Sequence, residues 1–209
     1  MKKVSTLILV FLIAFQFTSC KSDKKEEKKE ATKKEEVSHA AFNVSKATNL
    51  VEWTAYKTTE KIPVKGKFKK VNITSGGEGN TIKEAINNTE FDIPVSSLFS
   101  NDSSRDFKLK KFFFGAMENT RLLSGKLVIE DDAKGYASIT MNGVTQKLPF
   151  TYTINGKEFM MSTSMDVLNW NAKSAVDSLH EECKELHKGA DGVSKTWSEV
   201  AINISTTFK

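Results

Sequence analysis

Period-2 alternation is the feature that most constrains this chain. Leu148, Phe150, Tyr152 and Ile154 stand at every second position, and Val200, Ile202, Ile204 and Phe208 repeat the pattern near the C-terminus. A strand turns successive side chains to opposite faces, so each run presents one apolar face and one more polar face, as a half-buried strand does. Such runs recur at Thr48–Lys57, Val64–Thr74, Thr89–Val95, Arg121–Asp131, Lys134–Met141, Thr145–Ile154, Lys157–Leu168 and Trp197–Phe208. Asn142-Gly143 and Asn155-Gly156 fall between neighbouring runs and tolerate the positive φ of tight hairpin turns, which stitches three strands into a meander. Gly76, Gly77 and Gly79 mark a looser, mobile loop, and Pro149 belongs at an edge or bulge because it has no N–H for a ladder. The expectation is an all-β fold, an eight-stranded antiparallel barrel whose interior either fills with side chains or holds one small ligand.

Two segments change to a helical period. In Ser103 to Ala116, residues Leu109, Phe112, Phe113 and Ala116 fall at i, i+3, i+4 and i+7, behind a Ser103/Asp106 capping pair. In Ser174 to Lys188, Ala175, Val176, Leu179, Cys183 and Leu186 form one stripe, Ser174 and Asp177 offer the same cap, and Gly189 fits the C-terminal stop. Both read as short amphipathic helices packed on the barrel.

The first 41 residues are not part of that body. Lys2 and Lys3 precede an apolar run from Val4 to Phe17, shorter than the ~20 residues needed to span a bilayer, with small residues before Cys20. Residues 1–19 read as a signal peptide. Phe17-Thr18-Ser19-Cys20 resembles a bacterial lipobox, with Phe17 where Leu is usual, which makes Cys20 the lipidation site and the cell envelope the expected location. An ordinary secretory signal cut at another small residue is the alternative. Within residues 20–41, the stretch Lys21 to Glu36, KSDKKEEKKEATKKEE, mixes both charge signs without a large apolar residue and reads as a solvated tether. The net charge of +5 invites a nucleic-acid reading. Nine of the 31 Lys+Arg and six of the 26 Asp+Glu lie before residue 37, so the remainder carries a surplus of only two cations. In VKGKFKK, Val64 to Lys70, alternation places Lys65, Lys67 and Lys69 on one face and Phe68 on the other, a strand with a solvated outer face. No nucleic-acid partner is expected.

Catalytic motifs are missing: there is no G-x-S-x-G elbow, no H-E-x-x-H and no phosphate-cradling glycine loop. Asp92, Asp106 and Asp166 read as turn, cap or loop residues. An enzyme is therefore not expected. The one ligand-like constellation is His180, Cys183 and His187, whose spacing brings three soft ligands toward one side of a helix and offers an alternative metal-binding or redox-linked role. Against it, Cys183 is already a member of the buried stripe, and three ligands over two turns strain tetrahedral closure. Fourteen Phe, three Trp and three Tyr supply far more apolar surface than polar handles, which suits a long apolar ligand.

The sequence also resembles the YceI-like domain family over most of residues 42–208. Pro63 to Val71, PVKGKFKKV, is similar to the family's early G-x-F strand. Ser103 to Phe114, SSRDFKLKKFFF, resembles its Arg-Asp helix ending in paired Phe, and Met141 to Ile154, MNGVTQKLPFTYTI, resembles its Asn-Gly-Val-Thr hairpin. The resemblance implies a lipocalin-like antiparallel barrel over residues 42–209, enclosing an isoprenoid chain or quinone-like lipid, in a protein of the exported kind. Two departures bear on the ligand more than on the fold: GAMENTRLL stands where a Pro is usual, and residues 171–196 add a helix and loop with the His and Cys. By resemblance and alternation together, Phe68, Phe107, Phe112, Phe113, Phe150, Tyr152, Met161 and Trp170 are expected to line the pocket, with no resident metal or cofactor. A barrel filled by these same residues, serving a structural or partner-binding role, is the remaining alternative.

Overall fold

Strands form where alternation and β-branched residues coincide. The computed structural model describes residues 39–209, so the expected signal peptide, Cys20 and the tether up to residue 38 lie outside the described residues. In chain order the elements are β1 (Phe42–Asn43), β2 (Thr48–Lys57), β3 (Ile62–Phe68), β4 (Asn72–Ser75), β5 (Glu78–Gly79), α1 (Ile82–Ile86), β6 (Glu90–Pro94) and β7 (Leu98–Phe99). They continue with α2 (Ser103–Lys108), β8 (Leu122–Ile129), β9 (Lys134–Met141), β10 (Val144–Asn155), β11 (Glu158–Asp166), α3 (Lys173–Cys183) and β12 (Glu199–Thr207). Ten strands make one antiparallel sheet in the order β4-β6-β8-β9-β10-β11-β12-β2-β3-β7, and β1 pairs with β5 apart from it. The eight expected runs all carry strand.

The expected second run is divided, and the division shows how far the sheet curls. Pairing of β3 is with β2 and β7 at one edge, whereas β4 pairs with β6 at the other. Four virtual bonds from Phe68 to Asn72 reach at most about 14 Å, so the two edges of a ten-stranded sheet must lie that close. The second link, Val95–Ser97 between β6 and β7, crosses the same seam, and the Lys69 N–H donates to the Ser97 carbonyl at 2.9 Å. The result is an antiparallel half-barrel open along the seam.

Turn chemistry fixes the register of the meander. Asn142 and Gly143 both take positive φ, 52° and 70°, between Met141 and its partner Val144, and Gly156 does so at 59° in the next hairpin. Pro149 lies in β10 where that strand pairs with β9 only, because pairing with β11 begins at Thr151. The missing donor is thus tolerated at a local edge inside the sheet. The glycine cluster expected as a loose loop is instead tied down: Gly77 carbonyl accepts from the Val44 N–H at 2.7 Å, and Gly79 pairs with Phe42.

The helices depart from expectation in informative ways. Asp102, not Ser103, caps α2 by accepting from the Arg105 N–H at 3.0 Å, and Asp106 accepts instead from the Ser100 N–H and hydroxyl at 2.8 and 2.6 Å. Beyond Lys108 the helix widens into a π turn, Leu109–Phe113, and tightens into a 3-10 turn, Phe114–Ala116. Helix α3 follows Ala172, which offers no side-chain cap, and Asp177 pairs with Lys173 at 2.6 Å. It ends in a 3-10 turn, Lys184–His187, with Lys188 extended rather than in a left-handed glycine stop. Short α1 was not expected, although its Thr81/Glu84 capping box is visible in the sequence. Among the described residues no helix is long and apolar enough to cross a membrane.

Candidate functional site: an apolar cavity under a helical cover

The inward faces of the strands enclose a cavity of about 580 Å³. Its wall follows from alternation: Val51, Trp53 and Ala55 point in from β2, Val200, Ile202 and Ile204 from β12, and Ala137, Ile139 and Met141 from β9. Phe68, Met161 and Met165 add to it from β3 and β11. Gly66 permits the indole of Trp53 to lie flat on the wall, since a Cβ there would overlap Trp53 Cζ2. The indole N–H of Trp53 is buried without a hydrogen-bond partner among the described residues.

Past Leu148, which lines the cavity, the barrel interior is filled by an aromatic floor. Phe150, Tyr152 and Phe159 are all buried, with Tyr152 and Phe159 rings 5.2 Å apart and Phe150 set edge-on to Tyr152 at 6.3 Å. Tyr152 gives its hydroxyl proton to the Asp131 carbonyl at 2.6 Å, and burial pushes its pKa up. Gly135 makes room for Phe150, whose Cζ would stand 2.7 Å from a Cβ at that position. These three rings fill space; they do not border it.

The cover is helical. Leu109, Phe113 and Phe114 reach the cavity from the segment after α2, and Val176, Leu179 and Cys183 reach it from α3. Positions 109, 113 and 114 are spaced i, i+4, i+5, the consequence of a π turn, whereas an α-helix would have turned Phe112 inward. Asp102, Ser104, Arg105 and Lys108 of α2 and its cap border the opening, together with Lys57, Leu186, His187, Thr196 and Trp197. Two ion pairs hold this rim: Lys108 with Glu182, and Arg105 with Asp102 at 3.4 Å.

Three of the eight residues expected to line the pocket do so: Phe68, Phe113 and Met161. The other five stand elsewhere, each for a physical reason. Phe107 is 57% exposed on the outer side of α2, edge-on to Phe112 at 6.4 Å, with Lys111 over both rings. Phe112 is rotated away by the π turn. Phe150 and Tyr152 belong to the floor, and Trp170 is packed on β9, its indole N–H donating to the Ile139 carbonyl at 2.9 Å. Sequence reasoning missed Trp53, Ala55 and Lys57, although they share the inward alternation of β2.

His180, Cys183 and His187 do come near one another, but not as a metal set. The Nδ1 atoms of His180 and His187 lie 3.2 and 2.6 Å from the Thr196 hydroxyl oxygen, so a side chain occupies the point at which both imidazoles aim. Among the described residues no group of three His, Cys, Asp or Glu side chains could hold a metal ion. Burial pushes the Cys183 thiol up, away from the reactive thiolate. Burial, then the Lys57 ammonium and His180, hold the His187 pKa down to about 4, so its ring is neutral at pH 7.

Comparison with known proteins agrees with the fold. Residues 35–208 match the YceI-like domain family. A solved polyisoprenoid-binding domain from Saccharophagus degradans, implicated in plant cell wall breakdown, superposes with a TM-score of 0.58 at 9% identity, covering 82% of this chain and 99% of that one. BcnA of Burkholderia cenocepacia superposes with a TM-score of 0.51 at 16% identity, covering 79% of this chain and 98% of that one. No curated protein matches the chain.

Proposed function

The chain belongs to the YceI-like domain family, and from that premise we propose that it binds and carries one long apolar molecule, an isoprenoid or similar lipid, by burial rather than by chemistry. The observation that carries this reading is the cavity: 580 Å³ of space walled by aliphatic and aromatic side chains, inside the ~300–1,000 Å³ range of small-molecule sites. Each Å² of apolar ligand removed from water contributes about 25 cal/mol, so a chain burying on the order of 300 Å² gains about 7 kcal/mol before ordering costs. The half-barrel already holds that space open, which spares the protein the cost of making it. The Saccharophagus degradans domain of the same fold is a polyisoprenoid binder, which favours the isoprenoid class for this chain too. Lipidation at Cys20 would tether the carrier to a membrane of the bacterial envelope, with residues 21–41 as the leash, and so place the cavity near a lipid source.

Native mass spectrometry of the protein purified from a bacterial host without added ligand, followed by organic extraction, tests the reading. A co-purifying polyprenyl or quinone-like mass is the expected result; bare protein from hosts rich in such lipids would sink it. Phe113→Asp places a charge on the cavity wall and should abolish retention of that mass while the protein stays folded. Global unfolding of the variant would show instead that Phe113 is core. Radiolabelled palmitate incorporation, lost in Cys20→Ala, checks the anchor.

A further inference from the structure

The apolar stripe of β2 ends in a charge. The inward face of β2 runs Val51, Trp53, Ala55, Lys57, so the alternation that builds the wall ends in an ammonium group at the cavity. Lys57 is half-buried, and its Nζ donates to the Leu186 carbonyl at 3.2 Å. It forms no ion pair among the described residues, in contrast to the two basic groups that α2 brings to the rim, Arg105 and Lys108, each of which has a carboxylate. Lys65 of β3 also borders this end of the cavity and has no ion pair among the described residues, but it is exposed to solvent where Lys57 is half-buried.

The surroundings of Lys57 are donors of hydrogen bonds more than counter-charges. Thr196 forms an isolated antiparallel bridge with Lys57, which places its hydroxyl at the same end of the cavity. That hydroxyl is shared by His187 at 2.6 Å and His180 at 3.2 Å. A hydroxyl has one proton, so at most one imidazole takes it and the other must present its own Nδ1–H. The cluster fixes both rings. His187, held neutral, supplies polarity to the cavity without adding a charge. His187 and Thr196 belong to residues 171–196, the stretch by which the chain departs from the pattern of the family it resembles.

We propose that Lys57, Thr196 and His187 form a head-group subsite, so that the ligand is an amphiphile whose single apolar chain fills the cavity and whose anionic oxygen head, a carboxylate or a phosphate, pairs with Lys57. This rests on the reading that the cavity takes an apolar chain, and it adds the polarity and direction of that chain: tail toward the Phe150–Tyr152–Phe159 floor, head toward the opening. Half-buried Lys57 has a backbone carbonyl as partner but no counter-ion among the described residues, and an anionic head supplies that missing charge partner through a charge-assisted hydrogen bond. A hydrocarbon or an uncharged head leaves Lys57 without one.

Three probes with the same tail separate the possibilities: hexadecanoate, hexadecyl phosphate and hexadecan-1-ol, titrated into the full-length protein stripped of co-purified lipid and followed by Trp fluorescence, since Trp53 and Trp197 line the cavity. At least one anion should bind about tenfold or more tightly than the alcohol, the gain of a hydrogen bond to a charged group. Lys57→Met should bring that ratio to within about twofold, and Lys57→Arg should restore most of it. A preference for hexadecanoate assigns a carboxylate lipid, and the reverse order assigns a phosphate ester. Equal affinities for all three in the unmodified protein, or an unchanged ratio in Lys57→Met, overturns the subsite while leaving the apolar cavity as a binding site. Failure of all three to bind overturns the cavity reading itself, and the subsite with it.

Discussion

On the inward face of β10, Leu148 borders open space while Phe150 and Tyr152, the next two inward positions, close it. Below that level the barrel is a packed core: Phe159 is fully buried against Tyr152, and Phe208 meets Phe42 edge-on at 5.3 Å. In the chamber, small inward residues such as Val51, Ala55, Ala137 and Ile202 stand among the larger Trp53, Phe68 and Met161 and leave space between them, and the helical cover roofs the gap instead of filling it. One strand pattern thus produces a plug and a chamber, and the difference is side-chain volume at a given height. A large ring therefore does not by itself mark bound or filled space: Phe150, Tyr152 and Phe159 close the barrel, whereas Trp53, Phe68 and Phe113 border its open part.

The contrast is broken most severely at the floor. Phe159→Ala removes a fully buried ring that its neighbours cannot collapse to replace, and should cost about 3–5 kcal/mol in chemical denaturation. A loss below about 1 kcal/mol would mean that the floor is not packed as a core. Next in size is Gly66→Ala, where the new Cβ drives the Trp53 indole off the wall; overpacking of this kind costs about 1–3 kcal/mol and should also expel ligand. The chamber should answer differently. Ala55→Phe places a ring into empty volume, so the unfolding free energy should stay within about 1 kcal/mol while ligand retention falls about tenfold. If Ala55→Phe unfolds the protein as Phe159→Ala does, the chamber is core and the distinction fails.

Those two regimes also separate what sequence could reveal from what it could not. Thr48–Lys57 and Lys134–Met141 begin and end as strands where their alternation does, because each strand buries one face along its whole length. The run from Val64 to Thr74 misled, since its apolar pattern resumes at Val71 and Ile73 although the pairing partner changes from β2 to β6 at the crossing. At the site, Phe68, Phe113 and Met161 were legible because alternation and helical period identify inward faces. Phe150 and Tyr152 obey the same rule and still fall in the plug, because a face says nothing about height along the barrel, which register alone decides. Phe112 and Phe114 exchanged places through a π turn that no 3.6-residue period contains. Lys57 was visible as a lysine closing an apolar stripe, and only the cavity makes that position informative.

The smallest effect tests whether the chamber's polar end is part of the folded core or open water. His187 has its pKa lowered from 6.5 to about 4, first by burial and then by Lys57 and His180. Above pH 6.5 the ring is neutral in both folded and unfolded chains and contributes no pH dependence. As pH falls from 6.5 toward 4 the unfolded chain takes up a proton that the folded one refuses, so stability declines across that window and levels off below it. Because the ring is half-exposed, solvent screening reduces the loss to about 1 kcal/mol. Denaturation midpoints measured at pH 7, 5.5 and 4 should therefore fall less in His187→Asn than in the unmodified chain, by that margin. Carboxylates such as Asp102 and Asp131, whose pKa values are lowered by backbone hydrogen bonds, titrate in both proteins and cancel in the comparison. Identical slopes would mean that His187 is solvated in the folded state, and the open end would then be a wet rim rather than a continuation of the chamber.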